Sequence, residues 1–167
     1  MKLLVDASVF ITLAEIDAVR LLDELDGDVV VPKLVDDEIQ DEPARTELDD
    51  AQGEWIEVKS ADGGRVEESM KRLGREGEPR GDAALLALAL TYDDAVVVTD
   101  DKPLRKACKA LGVSLSGSVG VIVASVEKEV LAPEEARELL VAMDEVGARF
   151  SASLLRKAEN LIGEAAN

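Results

Sequence analysis

Lys2-Leu3-Leu4-Val5-Asp6-Ala7-Ser8-Val9-Phe10-Ile11-Thr12-Leu13-Ala14-Glu15-Ile16 decides the fold. A short apolar run, Leu3 to Val5, ends on one carboxylate; small residues follow, and then apolar positions recur at helical spacing. That pattern describes a buried strand running into a helix. Open α/β sheets place ligands beyond the ends of such strands, so Asp6 is the first candidate for a functional side chain. Taken singly, it has an equally simple role as the acceptor that caps the helix.

Working outward, Ser8 to Ala14 and Asp17 to Leu25 read as two short helices, with Gly27 as the stop. Asp28 to Val31 is a second strand of β-branched residues, and Pro32 opens a helix that continues from Leu34 to Asp41 and stops before Pro43. Arg45 to Ala51 adds helical turns, and Ile56 to Val58 is a short third strand. Asp62 to Pro79 is the least patterned region: Val66, Met70 and Leu73 are helically spaced, but Gly74, Gly77 and Pro79 break the stretch into a loop. A buried helix follows from Asp82, then a strand from Ala95 to Val98, a helix from Pro103 to Leu111 and a strand from Val113 to Leu115. Ser118 to Glu129, Pro133 to Val146 and a stretch from the cap Ser151 to about Ile162 read as helices.

Strands alternating with helices predict an α/β fold: a three-layer αβα sandwich around a mainly parallel sheet of four to five strands, with a helical C-terminal tail. The 167 residues read as a single domain, 1–117 forming the α/β core and 118–167 the C-terminal helices.

The composition excludes several chemistries. There is no histidine, which removes Ser-His-Asp triads, His-ligated zinc and an imidazole base. One cysteine, Cys108, allows no internal disulfide, and its place on an apolar helix face reads as core. The formal charge of −17 argues against a basic nucleic-acid surface, but an acidic surface with few lysines also suits a halophilic cytoplasm, where salt screens self-repulsion. The net charge therefore does not decide the substrate. No apolar run is long enough to span a bilayer and no signal-peptide pattern is present, so a soluble cytoplasmic protein without membrane association is expected.

Four places then stand together: Asp6 after the first strand, Glu38 on the helix after the second, Asp82 at a helix start, and Asp100-Asp101 after the fourth. In a parallel sheet, Asp6 and Asp101 can face one crevice across neighbouring strand ends, with Glu38 and Asp82 at the same rim. Converging carboxylates repel unless a hard cation such as Mg²⁺ or Mn²⁺ lies between them. Ser8 and Thr99 stand within two residues of Asp6 and Asp101, where hydroxyls orient a ligand. Each residue also has a simpler reading as a helix cap, a turn residue or part of a solvated face.

Val5-Asp6-Ala7-Ser8-Val9-Phe10, Val31-Pro32 with Val35 and Glu38-Ile39, Gly81-Asp82-Ala83 before an Ala/Leu helix, and Val97-Val98-Thr99-Asp100-Asp101 resemble the four acidic motifs of the PIN domain. The match in order and spacing runs to about Gly120, and Leu111-Gly112-Val113 with Gly117-Ser118-Val119-Gly120 resembles one branch of the family with a helical tail. The resemblance implies a Mg²⁺-dependent ribonuclease, with Mn²⁺ as a substitute, and many such proteins are VapC-type toxins paired with a small antitoxin. It implies Asp6, Glu38, Asp82 and Asp101 as the acidic quartet. Asp6, Asp82, Asp101 and Asp100 would be the metal ligands, Asp100 as a fifth, supporting acid, with Ser8 and Thr99 as polar partners. The Thr-x-Asp pattern favours Asp101 over Asp100, and the Glu-Ile pair favours Glu38 over Asp37. RNA as substrate, a 5′-phosphate product and a homodimer are implied as well.

A phosphodiester must also be held. Lys102, Arg105, Lys106 and Lys109 follow the fourth motif, and Lys71, Arg72, Arg75 and Arg80 precede Asp82. Of these, Lys102, Arg105, Lys106 and Arg80 are the candidates for the RNA backbone; ordinary helix charge patterning explains any one of them equally well. The apolar stripes Ala136, Leu139, Leu140, Met143 and Leu154, Leu155, Ala158, Leu161, Ile162 read as core or as a homodimer face. Two rival readings remain open: a phosphohydrolase or receiver-like protein with Asp6 as phosphoryl acceptor, and a catalytically silent binding module.

Overall fold

The computed structural model describes residues 1–148 and 150–165. Five strands, β1 (Lys2–Val5), β2 (Asp28–Pro32), β3 (Ile56–Lys59), β4 (Ala95–Val98) and β5 (Ser114–Ser116), form one sheet in the order β3-β2-β1-β4-β5. Every pairing in it is parallel. Successive strands step outward from β1 to β3, and the chain then returns to place β4 on the other side of β1. The strand order therefore reverses between β1 and β4, where Val5 stands opposite Val98. A crevice opens beyond the strand ends at such a reversal, because the flanking connections leave on opposite faces.

The central strands carry apolar residues without alternation because helices cover both faces of the sheet. Leu4, Val5, Val30, Val31 and Val97 are fully buried. Helix α1 (Ala7–Glu15) buries Val9, Phe10 and Leu13, and α2 (Lys33–Glu38) and α3 (Ala44–Ala51) follow β2. Helix α4 (Gly63–Arg72) lies on α5 (Gly81–Thr91), which is apolar around most of its circumference and sits against β1, β2 and β4. Helix α6 (Lys102–Ala110) joins β4 to β5. Helices α7 (Ser118–Glu127), α8 (Pro133–Glu145) and α9 (Ala152–Ala165) continue the same apolar cluster that fills the sheet layers.

Three expectations need correction. Asp17 to Leu25 is not a helix: Asp17 takes a positive φ of 56°, and only Val19–Leu22 closes into a 3₁₀ turn. The helix expected to reach Asp41 ends at Glu38. The supposed loop from Asp62 holds α4: the Asp62 carboxylate accepts from the Arg65 amide at 3.0 Å, and Val66 and Met70 are buried against Ala83, Ala84 and Ala87. The helical spacing of Val66 and Met70 is real, and the breakers Gly74, Gly77 and Pro79 all lie beyond the end of the helix.

Of the two readings of the C-terminal stripes, the described contacts favour core. Ala136, Leu140, Met143, Ala158 and Ile162 are buried within this one chain, and Leu154 is the member left exposed. Cys108 is fully buried, and desolvation pushes its thiol up to about 11, so it is protonated and inert at neutral pH. Among the described residues, no helix is long and apolar enough to cross a membrane.

Candidate active site

Asp6 stands at the reversal point as the N-cap of α1. Its amide donates to the Val98 carbonyl at 3.0 Å, one bond beyond the β1–β4 ladder, which sets its carboxylate beside the end of β4. One carboxylate oxygen accepts from the Ala7 amide at 2.8 Å. The other accepts from the Thr99 hydroxyl at 2.6 Å and the Ser8 hydroxyl at 3.0 Å. Those hydroxyls are also acceptors: Thr99 Oγ1 takes the Asp101 amide at 3.0 Å, and Ser8 Oγ takes the Asp100 amide at 3.4 Å. Two strand ends far apart in sequence are thus tied through two hydroxyls. Burial pushes the Asp6 carboxyl above its ordinary 3.8; hydrogen bonds from Thr99, Ser8 and Ala7 oppose the rise, and the charge of Asp101 adds to it.

The other acids reach the same place from separate elements. Asp101 caps α6, accepting from the Leu104 amide at 2.9 Å. Asp82 lies in the first turn of α5 and accepts from the Ala83 amide at 2.8 Å. Glu38, the last residue of α2, accepts from the Gly81 amide at 2.6 Å and so ties α2 to the start of α5. Asp6, Ser8, Glu38, Asp82 and Asp101, with Ala7, Arg75 and Arg80, line one cavity of about 460 Å³. Helix capping and cavity lining are therefore not alternatives for these acids: Asp6 and Asp101 do both.

Gly81 is needed for this approach. A Cβ there would lie 2.7 Å from Glu38 Oε2 and 2.8 Å from Val35 Cγ2. Gly81→Ala is therefore expected to push the Glu38 carboxylate out of place and to cost about 1–3 kcal/mol of stability, read by denaturant unfolding. An unchanged stability together with an unchanged Glu38 position in a structure of the variant would refute this.

Asp100 faces elsewhere. Its carboxylate accepts from the Ser118 amide at 3.0 Å and the Ser118 hydroxyl at 2.6 Å, joining the end of β4 to the start of α7. A Cβ at Gly117 would lie 2.5 Å from Asp100 Oδ1, which accounts for the Gly-Ser pair. Arg105 also turns inward: its Nη1 donates to the carbonyls of Thr99 at 2.7 Å and Ser116 at 2.9 Å. Lys102 lines a separate groove with Asp100 and Arg105, and Lys106 is exposed on α6. Of the four basic candidates chosen from the sequence, Arg80 is the one that lines the acidic cavity.

Two arginines carry more of the site than the sequence suggested. Arg75 lines the cavity and donates from Nε to Asp82 at 3.1 Å; its place in the basic run seven residues before Asp82 was the available signal. Arg45 grips the end of α2, donating from Nη1 to the Asp36 and Ile39 carbonyls, each at 2.7 Å, and from Nη2 to the Asp36 carboxylate at 2.6 Å. Glu38 lies between those two carbonyls in the chain. Nothing local in sequence announces a pairing made by tertiary packing.

A family model described as PIN domain matches residues 2–164, spanning both the sheet and the C-terminal helices. The chain belongs to the PIN domain family. No curated protein matches it in sequence. The PIN domain is a nuclease-type fold, and the acidic crevice of this one lies at the reversal of strand order.

The donor set of this PIN domain suits a hard divalent cation in kind, since carboxylate oxygens dominate the cavity and neither His nor Cys lines it. Among the described residues, however, no three ligating side chains stand close enough to hold an ion. Each of the four carboxylates is instead held by a hydrogen-bond donor of the chain itself.

Proposed function

We propose that this PIN domain is a Mg²⁺-dependent endoribonuclease that hydrolyses RNA phosphodiesters with water, Mn²⁺ serving as a substitute. The observation that carries the reading is the meeting of Asp6, Glu38, Asp82 and Asp101, from four separate segments, in one cavity beside the β1–β4 reversal. Asp6, Asp82 and Asp101 would hold the cation, with Glu38 as the fourth acid. Bound there, it supplies charge neutralisation at the scissile phosphate and an activated water.

The chain's own residues have distinct parts. Thr99 and Ser8 fix one oxygen of Asp6, so the carboxylate is oriented before any ligand arrives. The Gly81 amide does the same for Glu38. Arg80, exposed at the cavity wall, provides a positive group suited to a phosphate oxygen. With Arg105 spent on backbone carbonyls and Asp100 spent on Ser118, neither belongs to the proposed chemistry.

The phosphoryl-acceptor reading is weaker on the same geometry. Asp6 is only 6% exposed and all its hydrogen-bonded oxygens face donors of the chain, and the basic groups lining the cavity are arginines. The toxin role, a small antitoxin partner and a homodimer are proposed from the motif resemblance; an overlapping small reading frame upstream and sedimentation at molar salt test them.

The direct test is incubation of single-stranded RNA with the protein in molar KCl, with Mg²⁺, Mn²⁺ or EDTA, and end-group analysis of the products. Cation-dependent cleavage leaving 5′-phosphates is expected. Cleavage that persists in EDTA, or stable labelling of Asp6 by a phosphoryl analogue, would sink the reading.

A further inference from the structure

Arg75 is the one guanidinium that the described residues place on a carboxylate of the acidic cavity. Its Nε lies 3.1 Å from Asp82 Oδ2, while Asp82 Oδ1 is taken by the Ala83 amide, so both oxygens of this acid are engaged. The pair is half-sheltered, with side-chain exposures of 27% for Arg75 and 14% for Asp82, where screening by salt is weaker than at an open surface. Arg75 also lines the adjoining cleft, with Lys71, Met70 and Pro79. Arg75 thus lines both spaces, and a rotation about its side-chain bonds is the movement that would carry the guanidinium between them. The backbone need not follow, because the Arg75 amide is anchored to the Met70 carbonyl at 2.8 Å.

A second observation stands beside these contacts. Four carboxylates line one cavity, yet no three ligating side chains among the described residues are close enough to hold an ion. A positive group is already present on one of them. We propose that Arg75 is a built-in counter-ion of the acidic cavity, which competes with a divalent cation for Asp82 and so sets the cation concentration at which the site fills. This rests on the reading of the cavity as a metal site. A guanidinium and a divalent cation draw on the same carboxylate charge, so occupancy by one weakens the other. When Asp82 is released, Arg75 has the neighbouring cleft to occupy.

The test is Mn²⁺ binding, measured by calorimetry on the full chain at fixed molar KCl, for wild type, Arg75→Gln, Asp82→Asn and the double variant. Arg75→Gln is expected to bind Mn²⁺ about three- to tenfold more tightly than wild type, and the gain should vanish in the Asp82→Asn background. Equal affinities for wild type and Arg75→Gln, with binding intact, overturn the counter-ion role and leave the metal reading standing. Absence of Mn²⁺ binding in both overturns the metal reading as well. A second measurement needs no variant: in the wild-type protein, the Arg75 Nε–Hε resonance should shift as Mg²⁺ is added. A resonance that stays fixed while Mg²⁺ saturates the protein overturns the competition.

Discussion

An Asp6→Asn protein is expected to fold as wild type does and to lose RNA cleavage by about a hundred- to a thousandfold. The two halves of that result have separate causes. Asn keeps the shape of Asp, so one side-chain atom still accepts the Ala7 amide and caps α1. The Ser8 and Thr99 hydroxyls, which now donate to the carboxylate, can rotate to accept from the new amide group. Removing the charge also removes a desolvation cost, since burial is the largest influence on Asp6 and acts against its ionised form. Stability should therefore stay within about 1 kcal/mol of wild type. What disappears is the negative charge at the back of the cavity. Cleavage by pure Asp6→Asn protein at near wild-type rates, with cation present, would remove Asp6 from the chemistry.

Arg45→Ala is expected to have the largest effect on stability, about 2–4 kcal/mol. The guanidinium satisfies two backbone carbonyls and the carboxylate of Asp36, which is only 5% exposed. Its further pair with Asp49 is exposed and contributes little. Burial pushes the Asp36 carboxyl up, but hydrogen bonds and charges from Arg45 and Lys33 more than offset it and leave it below its ordinary 3.8. A depressed carboxylate stabilises the fold above its unfolded-state pKa, and that contribution is lost as pH falls through the folded value. The penalty of Arg45→Ala should accordingly be full at pH 7 and shrink as pH falls below the ordinary carboxylate value of 3.8 and through the depressed one at which folded Asp36 takes up its proton. Urea unfolding at several pH values checks both points; a penalty independent of pH would assign the loss to packing and backbone bonds alone.

How much of this was legible in the chain depends on whether a feature is local. The strands Leu3 to Val5 and Ala95 to Val98 are runs that both-face burial demands, and they read directly. Helix α4 is visible in sequence only as the spacing of Val66 and Met70, outweighed by polar neighbours and the breakers that follow; its docking onto α5 gives those two residues a purpose. The acids at strand ends and helix starts could be found because position along an element is visible in sequence. The different directions of Asp100 and Asp101 were visible only as a pattern preference, since they follow from Ser118 and Leu104 waiting on different elements. The grip of Arg45 on the end of α2, and the choice of Arg75 over its basic neighbours as the partner of Asp82, depend on directions that only the folded chain fixes.

The hydroxyl of Thr99 on Asp6 joins residues 93 apart in the chain. The acid crevice is therefore a late product of assembly: a growing polypeptide that has not yet delivered β4 has β1 with an open edge and Asp6 without its partners. Loops of that length close slowly relative to local helices. During synthesis on a ribosome, itself made of RNA, the nascent chain remains without a complete crevice until more than half its length has emerged.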